Sequence, residues 1–357
     1  MGRQNEGLPS GTARVTVVIA TYNRPEALKF TLRSLLDQTF EDWTAIVVGD
    51  CCGPETGRVV SEVNDSRILY VNLPVRCGEQ ALPNSVGMTL ARTDYVAFLN
   101  HDDLWLPDHL AHGLASIQSS DAGAFLGAAV FVKSLAREDA VVLIEQTLPG
   151  RTFRTAFRRP YYVMEPISTW IVHRRVIRRI GPMTPAADLY RTPLEDWALR
   201  FWRGNVRLSQ SDLVTVVKDN SLAEKQRSVP TYSVLRPGLA AMYEEIRALG
   251  AEGFRSQLPA RLAQARSAGA KPRDFRTFHD EPVPGTFRQH LTAAAAKQFK
   301  DTGVDAFAEA CHAQGLERGR ILRRALLRRV GETLGAPPDL NVLVEAARQQ
   351  IEAGDTA

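Results

Sequence analysis

The sequence has few cysteines, no long apolar run and no strong excess of one charge. Its 357 residues include four cysteines, too few for a disulfide framework in a chain of this length, so reduced thiols and a cytoplasmic location are expected. No apolar run reaches the ~18 residues that cross a bilayer. The polar start of the chain, residues 1–14, lacks the apolar core of a secretory signal. These absences argue against integral membrane proteins and disulfide-rich secreted proteins.

The net charge of the chain is small. The chain carries 44 basic and 40 acidic side chains, which gives a net charge of +4. A nucleic-acid-binding domain is expected to be more basic, with its charge clustered on one face, so no nucleic acid partner is expected. Hydrophobic residues make up 44% and charged residues 24% of the chain, which is ordinary globular composition. The length predicts two or three domains.

Apolar β-branched runs alternate with amphipathic stretches over the first hundred residues. Strands are predicted at 14–20, 44–48, 68–71 and 95–99, with helices at 26–38, 56–63 and 82–90. This alternation predicts βαβ units and a parallel sheet flanked by helices. Such sheets bind ligands at the carboxyl ends of their strands. The polar loops 20–24, 49–53 and 100–103 are therefore the first candidates for a site.

The pattern then becomes less regular and finally helical. Between 104 and 220 we predict helices at 108–119 and 195–202 and strands at 128–132, 140–144 and 170–172. Beyond 220, stretches rich in Ala, Leu, Arg, Glu and Gln predict helices at 233–267, 288–314, 317–334 and 340–353. The predicted architecture is an α/β domain at 13–220, divided into halves at 13–105 and 106–220, followed by a helical region at 221–357. That region could form a homodimer or hold an acceptor.

Two adjacent carboxylates, Asp102 and Asp103, follow the predicted strand at 95–99. Oxygen ligands of this kind suit Mg²⁺ or Mn²⁺, which proteins often hold with one or two carboxylates and the phosphates of a substrate. Such a cation could neutralise the charge that develops on a diphosphate leaving group. The alternative is that the two residues cap the helix that follows.

Two further groups of polar residues are candidates for a site because of their positions in the predicted elements. Residues 21–24 and Asp50 end neighbouring predicted strands, where they could contact a nucleoside, although Asn and Asp also end strands as ordinary turn residues. Glu195 and Asp196 begin a predicted helix and could supply a general base. Alternatively they cap that helix, and Asp196 pairs with Arg200 at i,i+4.

In this order along the chain, these segments resemble one family. Val-Ile-Ala-Thr-Tyr-Asn-Arg at 18–24, followed by Asp-Asp-Leu-Trp at 102–105 and Glu-Asp at 195–196, is similar to the inverting, non-processive GT-A glycosyltransferases of bacterial family 2. The resemblance covers about 13–220. It implies a GT-A fold, which is Rossmann-like with a mainly parallel sheet. It also implies hexosyl or related transfer from a nucleoside-diphosphate-sugar, with a UDP-sugar favoured, in polysaccharide or glycoconjugate synthesis.

The resemblance also implies roles for individual residues. Asp196 matches the catalytic base with Glu195 beside it, and Asp102, with Asp103 beside it, matches the metal ligand of the DxD motif for Mn²⁺ or Mg²⁺. The residues that match donor-nucleotide contacts are Thr21, Tyr22, Arg24, Asp50, Asn84, Asn100 and His101. The acceptor could be a glycan, a lipid-linked sugar or a small molecule. Membrane contact would be peripheral at most.

Three positions depart from the family pattern. Asn100 replaces the first acid of the DxD motif, Gly49 replaces an acid at the end of the second strand, and Pro83 stands where an arginine is common. The departures keep open a non-catalytic protein that binds nucleotide sugars or acts as a scaffold. A sugar nucleotidyltransferase is a weaker rival, because residues 21–25 lack the Gly-rich loop that it requires.

Several other features favour structural roles. His109 and His112 have the spacing of metal ligands, but without a third ligand we predict surface positions. Trp105, Trp170 and Trp197 could line a sugar platform but are expected in the core. An arginine-rich stretch at 318–329 predicts a solvated or partner-facing helix rather than a membrane-bound one. The basic loop at 153–159 could meet an acidic acceptor.

Overall fold

The protein is described by a computed structural model. It covers residues 13–134, 141–147, 166–219, 237–269, 293–320 and 335–354. The predictions for the basic loop at 153–159 and for most of the arginine-rich stretch at 318–329 lie outside the described residues.

The first half of the sheet is parallel, as predicted. Its strands are β1 (Val15–Thr21), β2 (Trp43–Gly49), β3 (Ile68–Asn72) and β4 (Tyr95–Phe98). They lie in the order β3-β2-β1-β4, with every neighbouring pair parallel. The connecting helices are α1 (Pro25–Leu36), α2 (Pro54–Val63) and α3 (Ala81–Leu90).

The second half extends the same sheet in mixed directions. It contains β5 (Asp103–Trp105), α4 (His109–Ser120), β6 (Ala124–Ser134), β7 (Val141–Gln146), β8 (Trp170–His173), α5 (Arg174–Ile180), α6 (Pro193–Arg203) and β9 (Leu208–Asp219). The order continues from β4 as β8-β6-β9-β5, and β7 pairs with β6. Only the β6–β9 pair is parallel among these strands. The predicted α/β fold is thus confirmed, with a mixed second half.

Apolar side chains fix the layers of the first half. Every residue of β1 and β2 is buried, as expected of strands covered by helices on both faces. Helix α1 begins with Pro25 in its first turn, where the missing N–H costs nothing. Gly87 lets α3 approach β1 closely, because a Cβ at this position would lie 2.4 Å from Cγ1 of Val18.

One alternative and one prediction in this region were wrong. Asp103 does not cap a helix but begins β5, where it pairs with Lys218 of β9. His109 is not at the surface: its exposure is 0%, its Nδ1 lies 2.9 Å from Thr215 Oγ1, and its ring stacks on Trp105 at 4.3 Å. A buried imidazole can be accommodated when it is neutral, and burial lowers the pKa of His109 to about 3.

The C-terminal helices pack on three sides of the sheet domain. They are α7 (Pro237–Ser267), α8 (Ala293–Thr302), α9 (Ala306–Ala313) and α10 (Leu340–Ala353). Helix α7 covers β5, β6, β7 and β9, while α8 contacts α6 and α10 contacts α3 and β3. Within the described ranges no helix combines the length and hydropathy that a membrane span requires.

Candidate active site

The loops that follow β1 and β4 meet at the carboxyl edge of the sheet. Arg24 Nη1 lies 2.5 Å from Asp102 Oδ2, and both side chains are nearly inaccessible to solvent. The backbone N–H of Tyr22 donates to His101 Nδ1 at 3.2 Å. Because β1 and β4 are parallel neighbours, their ends lie side by side. The structure thus brings together four of the residues predicted for donor and metal binding.

Asp102 is the carboxylate of this loop that contacts Arg24 of the loop after β1. Among the described residues no group of three or more His, Cys, Asp or Glu side chains is placed to hold a metal ion. The Asp102 carboxylate fits a cation that shares one protein carboxylate with the phosphates of a ligand, which is common for Mg²⁺. The Arg24 guanidinium on Asp102 adds a cation that can also contact phosphate.

Asp103 is committed to a buried ion pair instead. It has no exposed surface. Its Oδ1 accepts from Lys218 Nζ at 3.0 Å, and its Oδ2 accepts from Ser168 Oγ at 2.5 Å and from Asn100 Nδ2 at 2.9 Å. Burial raises the pKa of Asp103, although the Lys218 charge opposes this effect. These contacts give Asp103 and Asn100 a role in shaping the loop that carries Asp102.

Asp50 closes the neighbouring loop after β2. Its carboxylate accepts from the backbone N–H of Cys77 at 2.5 Å and of Gly78 at 2.9 Å. Burial raises the pKa of Asp50, and these two hydrogen bonds counteract that rise. Asp50 therefore ties the loop after β2 to the loop after β3, at the same edge of the sheet.

An aromatic–cation pair and two unsatisfied polar atoms complete this edge. The Arg76 guanidinium lies 3.8 Å from the centre of the Tyr22 ring, a distance typical of a cation–π contact. Among the residues that the structure describes, Thr21 Oγ1 and Asn84 Nδ2 are buried without a hydrogen-bond partner. Buried polar atoms normally find partners, so these two atoms suit a polar ligand.

The acidic pair at the start of α6 divides into two roles. Glu195 forms a capping box: its Oε2 accepts from the Thr192 N–H at 3.0 Å, and its own N–H donates to Thr192 Oγ1. Asp196 instead accepts from Thr184 Oγ1 at 3.2 Å and lies 3.1 Å from Arg200 Nε. Burial raises the pKa of Asp196, and the Arg200 charge opposes the rise.

Aromatic packing connects α6 with the strand that leads to Asn100. The rings of Trp197 and Phe98 meet edge to face at 5.6 Å, and Trp170 lies 5.8 Å from Trp197. Trp105, Trp170 and Trp197 are all fully buried. They are core residues, as predicted, and fix α6 against the sheet rather than forming a sugar platform.

The sequence analysis missed several polar residues of this region. Arg76 and Glu79 lie in the loop after β3, and burial raises the pKa of Glu79 to about 7. Ser168 and Lys218 hold Asp103 from distant parts of the chain. Lys218 could have been found from the sequence, because it directly follows the mostly apolar run at 214–217. Arg76, Glu79 and Ser168 lie in irregular segments that show no periodicity.

Comparisons with known proteins agree with this arrangement. The family model described as Glycosyl transferase family 2 matches residues 16–181. The putative colanic acid biosynthesis glycosyl transferase WcaA of Escherichia coli K12 is 31% identical over 165 residues, which cover 46% of this chain and 53% of WcaA. The Escherichia coli glucosyltransferase WfaP, named for transfer from UDP-Glc to a GlcNAc-diphosphoundecaprenol, is 28% identical over 28% of this chain and 39% of its own. The chain thus spans about half or less of these relatives.

Solved structures show a weaker likeness. Staphylococcus aureus TarS 1-349 aligns with a TM-score of 0.49 and 15% identity, covering 85% of this chain and 92% of that one. A Pyrobaculum calidifontis mannosyltransferase in complex with GDP-Man and Mn²⁺ gives 0.45 and 15%, covering 86% and 89%. The family match rests on sequence: residues 16–181, which contain the loops after β1 to β4 but not α6 or β9, match the family model of glycosyl transferase family 2.

Proposed function

We propose that this protein transfers a sugar from a nucleoside-diphosphate-sugar to an acceptor hydroxyl with inversion, in bacterial polysaccharide or glycoconjugate synthesis. The observation that carries the proposal is the meeting of two loops through Arg24–Asp102 and Tyr22–His101. This meeting occurs at the carboxyl edge of parallel strands in a family 2 domain. Ligands of open α/β sheets bind at that edge.

In this proposal the nucleoside lies between the loops after β1, β2 and β3. Tyr22 offers a ring face, and Asp50 is held at the same edge by the amides of residues 77–78. Thr21 and Asn84 supply buried polar atoms that lack partners in the described chain. A UDP-sugar stays our preferred donor, as the resemblance implies, and the Asp50 carboxylate could accept from the N3–H of its uracil. Its acceptor could be a glycan, a lipid-linked sugar or a small molecule.

Asp102 would hold Mg²⁺ or Mn²⁺ together with the donor diphosphate, while Arg24 stays beside the phosphates. When bound, the cation would stabilise the negative charge on the departing nucleoside diphosphate. Asn100, His101 and Asp103 act in this proposal by holding the loop: Asn100 and Asp103 hydrogen-bond each other, and His101 accepts from the β1 loop.

Asp196 would be the general base that removes the proton of the acceptor hydroxyl. Its raised pKa improves its match to a base that works near neutral pH. Thr184 and Arg200 fix its carboxylate on one side. Glu195 is assigned to the helix cap, because both partners of the capping box are in place.

The division at residues 105 and 220 and the cytoplasmic location stay part of this proposal. The four cysteines are all free thiols, as expected of a reducing compartment. Dimerisation through the C-terminal helices stays a prediction.

Nucleotide binding tests the donor site. Calorimetry with UDP, dTDP, GDP and CDP, each with Mn²⁺, Mg²⁺ or EDTA, should find one nucleotide that binds tightly and only with metal. Asp102→Ala should remove that dependence. If none of the nucleotides binds to the wild-type protein, the donor site is wrong.

Transfer assays test the base. Asp196→Asn should lower kcat by at least about 100-fold, because general bases contribute 10² to 10⁴, and should leave nucleotide binding unchanged. Glu195→Gln is the matched control: it neutralises the adjacent carboxylate but keeps an oxygen for the Thr192 cap. Equal losses from both substitutions would contradict the assignment.

A non-catalytic protein that binds nucleotide sugars is the second candidate. It is favoured by Gly49, which stands where an acid is common in the family; a Cβ there would lie 2.6 Å from Asn72 Oδ1 and 2.7 Å from the Tyr70 hydroxyl, so a larger residue would displace these side chains. Tight nucleotide binding without transfer or donor hydrolysis would select this candidate over the first.

A further inference from the structure

A cavity lies away from the candidate active site. Its volume is about 360 Å³, and it opens between the end of α3, helix α5 and helix α10. Four arginines line it: Arg92, Arg174, Arg178 and Arg348. Apolar side chains, among them Met88 and Ile177, form the rest of the wall.

The cavity has a strong excess of positive charge. None of the described residues that line it is acidic. Arg348 reaches Glu345 of its own helix at 3.8 Å with its side chain 53% exposed, a contact worth little in water. Among the described residues, no acidic side chain forms an ion pair with Arg92, Arg174 or Arg178. Like charges placed this way repel one another, and an anion would remove the repulsion.

The cavity and the candidate active site lie at opposite edges of the sheet. Arg92 precedes β4 and Asn100 follows it, so at about 3.3 Å per residue the two ends lie more than roughly 10 Å apart. Arg174 follows β8, which runs antiparallel to β4 and pairs His173 with Tyr95. Ligands in the two places would not compete for the same residues.

We propose that this cavity binds a phosphate-bearing ligand, independently of the transferase reaction. Guanidinium groups bind phosphate oxygens in pairs of parallel hydrogen bonds, and four of them match a doubly or triply charged group. The apolar wall beside them would contact the uncharged part of the same ligand. A free diphosphate and the headgroup of an anionic phospholipid share this chemistry.

The test compares two pairs of arginines on one helix. Arg174→Gln/Arg178→Gln removes two arginines that line the cavity. Arg175→Gln/Arg179→Gln removes two arginines with the same spacing and the same charge on α5 that do not line it. The two double variants have identical net charge, so long-range attraction for anions is matched between them.

Two probes distinguish the sources of phosphate. Calorimetry with inorganic pyrophosphate in EDTA reports a soluble ligand, and co-sedimentation with phosphatidylglycerol–phosphatidylcholine vesicles, against pure phosphatidylcholine, reports a headgroup. For at least one probe, the Arg174→Gln/Arg178→Gln variant should bind tenfold or more weakly than the wild type, and the Arg175→Gln/Arg179→Gln variant less than twofold more weakly. Circular dichroism checks that both variants fold.

Two outcomes would overturn the proposal. Wild-type protein that binds neither probe has no such site. Equal losses in the two double variants would mean that general surface charge, not the cavity, attracts the anion. Neither outcome depends on nucleotide binding or sugar transfer, so the proposed function can stand or fall separately.

Discussion

The buried pair between Lys218 and Asp103 gives the sharpest prediction about the candidate metal loop. The Asp103 side chain has no exposed surface, while the Lys218 side chain is 22% exposed. Lys218→Met retains the apolar length of the side chain but removes the cation. The Asp103 carboxylate would then keep only the neutral donors Ser168 and Asn100.

The expected loss of stability follows from the burial of the remaining charge. Removing one partner of a buried ion pair costs about 3 to 5 kcal/mol. Because Lys218 is partly exposed and two neutral hydrogen bonds to Asp103 remain, we expect about 3 kcal/mol. The exposed pair Lys297–Asp301, with side chains 80% and 52% accessible, is the control, and Lys297→Met should leave the stability to urea nearly unchanged.

Urea unfolding at pH 7 and pH 5 measures both the loss and its cause. Burial raises the pKa of Asp103, and without Lys218 that pKa should rise further. The native variant would then take up a proton that the unfolded chain, near pKa 3.8, does not bind. Its penalty should therefore shrink as the pH falls from 7 to 5.

The result that would refute this reasoning is specific. If Lys218→Met unfolds like the wild type but loses metal-dependent nucleotide binding, Asp103 acts on the ligand and not on the loop. A penalty that does not change with pH would show that lost packing, not the buried charge, is responsible.

Three further predictions concern other buried polar groups. Relative to His109→Gln, wild-type stability to urea should fall by about 2 kcal/mol from pH 7 to pH 5, because the unfolded imidazole takes up a proton near pH 6.5 and the native one, with a pKa of about 3, does not. Gln350→Ala removes two hydrogen bonds to the edge of β3 and should cost about 1 to 3 kcal/mol in the same assay, whereas Gln349→Ala should change stability by under about 0.5 kcal/mol. Asp305→Asn leaves buried Arg191 without its bidentate partner. The Arg191 charge then lowers the pKa of the candidate base, Asp196. The rise in the transfer rate on the acidic side of its pH profile should therefore move to lower pH.

The hydrophobic pattern predicted the first half of the fold because its central strands are buried along their whole length. Runs such as 15–21 and 43–49 are buried on both sides, so their β-branched composition alone marks them as central strands. The loops after them then follow from topology, since parallel neighbours end at one edge. This is why Arg24 and Asp102 could be expected close together before their distance was known.

The second half could not be predicted in the same way. Strand β9 begins with the half-exposed residues 208–213 and becomes buried only from Val214, so its polar start hides the strand from a pattern search. Without β9, the partner of Asp103 was unknown, and the Asp-Asp sequence could equally indicate a helix cap. His109 illustrates the same limit, because neutralisation of an imidazole depends on neighbours such as Thr215 and Trp105 that only the fold supplies.

The C-terminal helices belong to the scaffold of the candidate site. On one side Gln350 of α10 accepts from the Asn72 N–H at 2.9 Å and donates to its carbonyl at 2.7 Å. Asn72 in turn holds both backbone groups of Cys52 with its side chain, in the loop that begins with Asp50. A helix beyond residue 330 thereby supports the loop that carries a predicted nucleotide contact.

The same relation holds on the side of the candidate base. Asp305, at the start of α9, binds Arg191 through two hydrogen bonds of 2.8 and 2.7 Å, and Arg191 directly precedes Thr192, the cap of α6. Phe307 packs under the same guanidinium at 4.5 Å. Residues after 300 hold both the loop with the predicted nucleotide contact and the helix with the candidate base. A chain cut near 220 would therefore keep the family 2 match at 16–181 yet lose contacts on both sides of the candidate site. The C-terminal region therefore supports the candidate site from both sides.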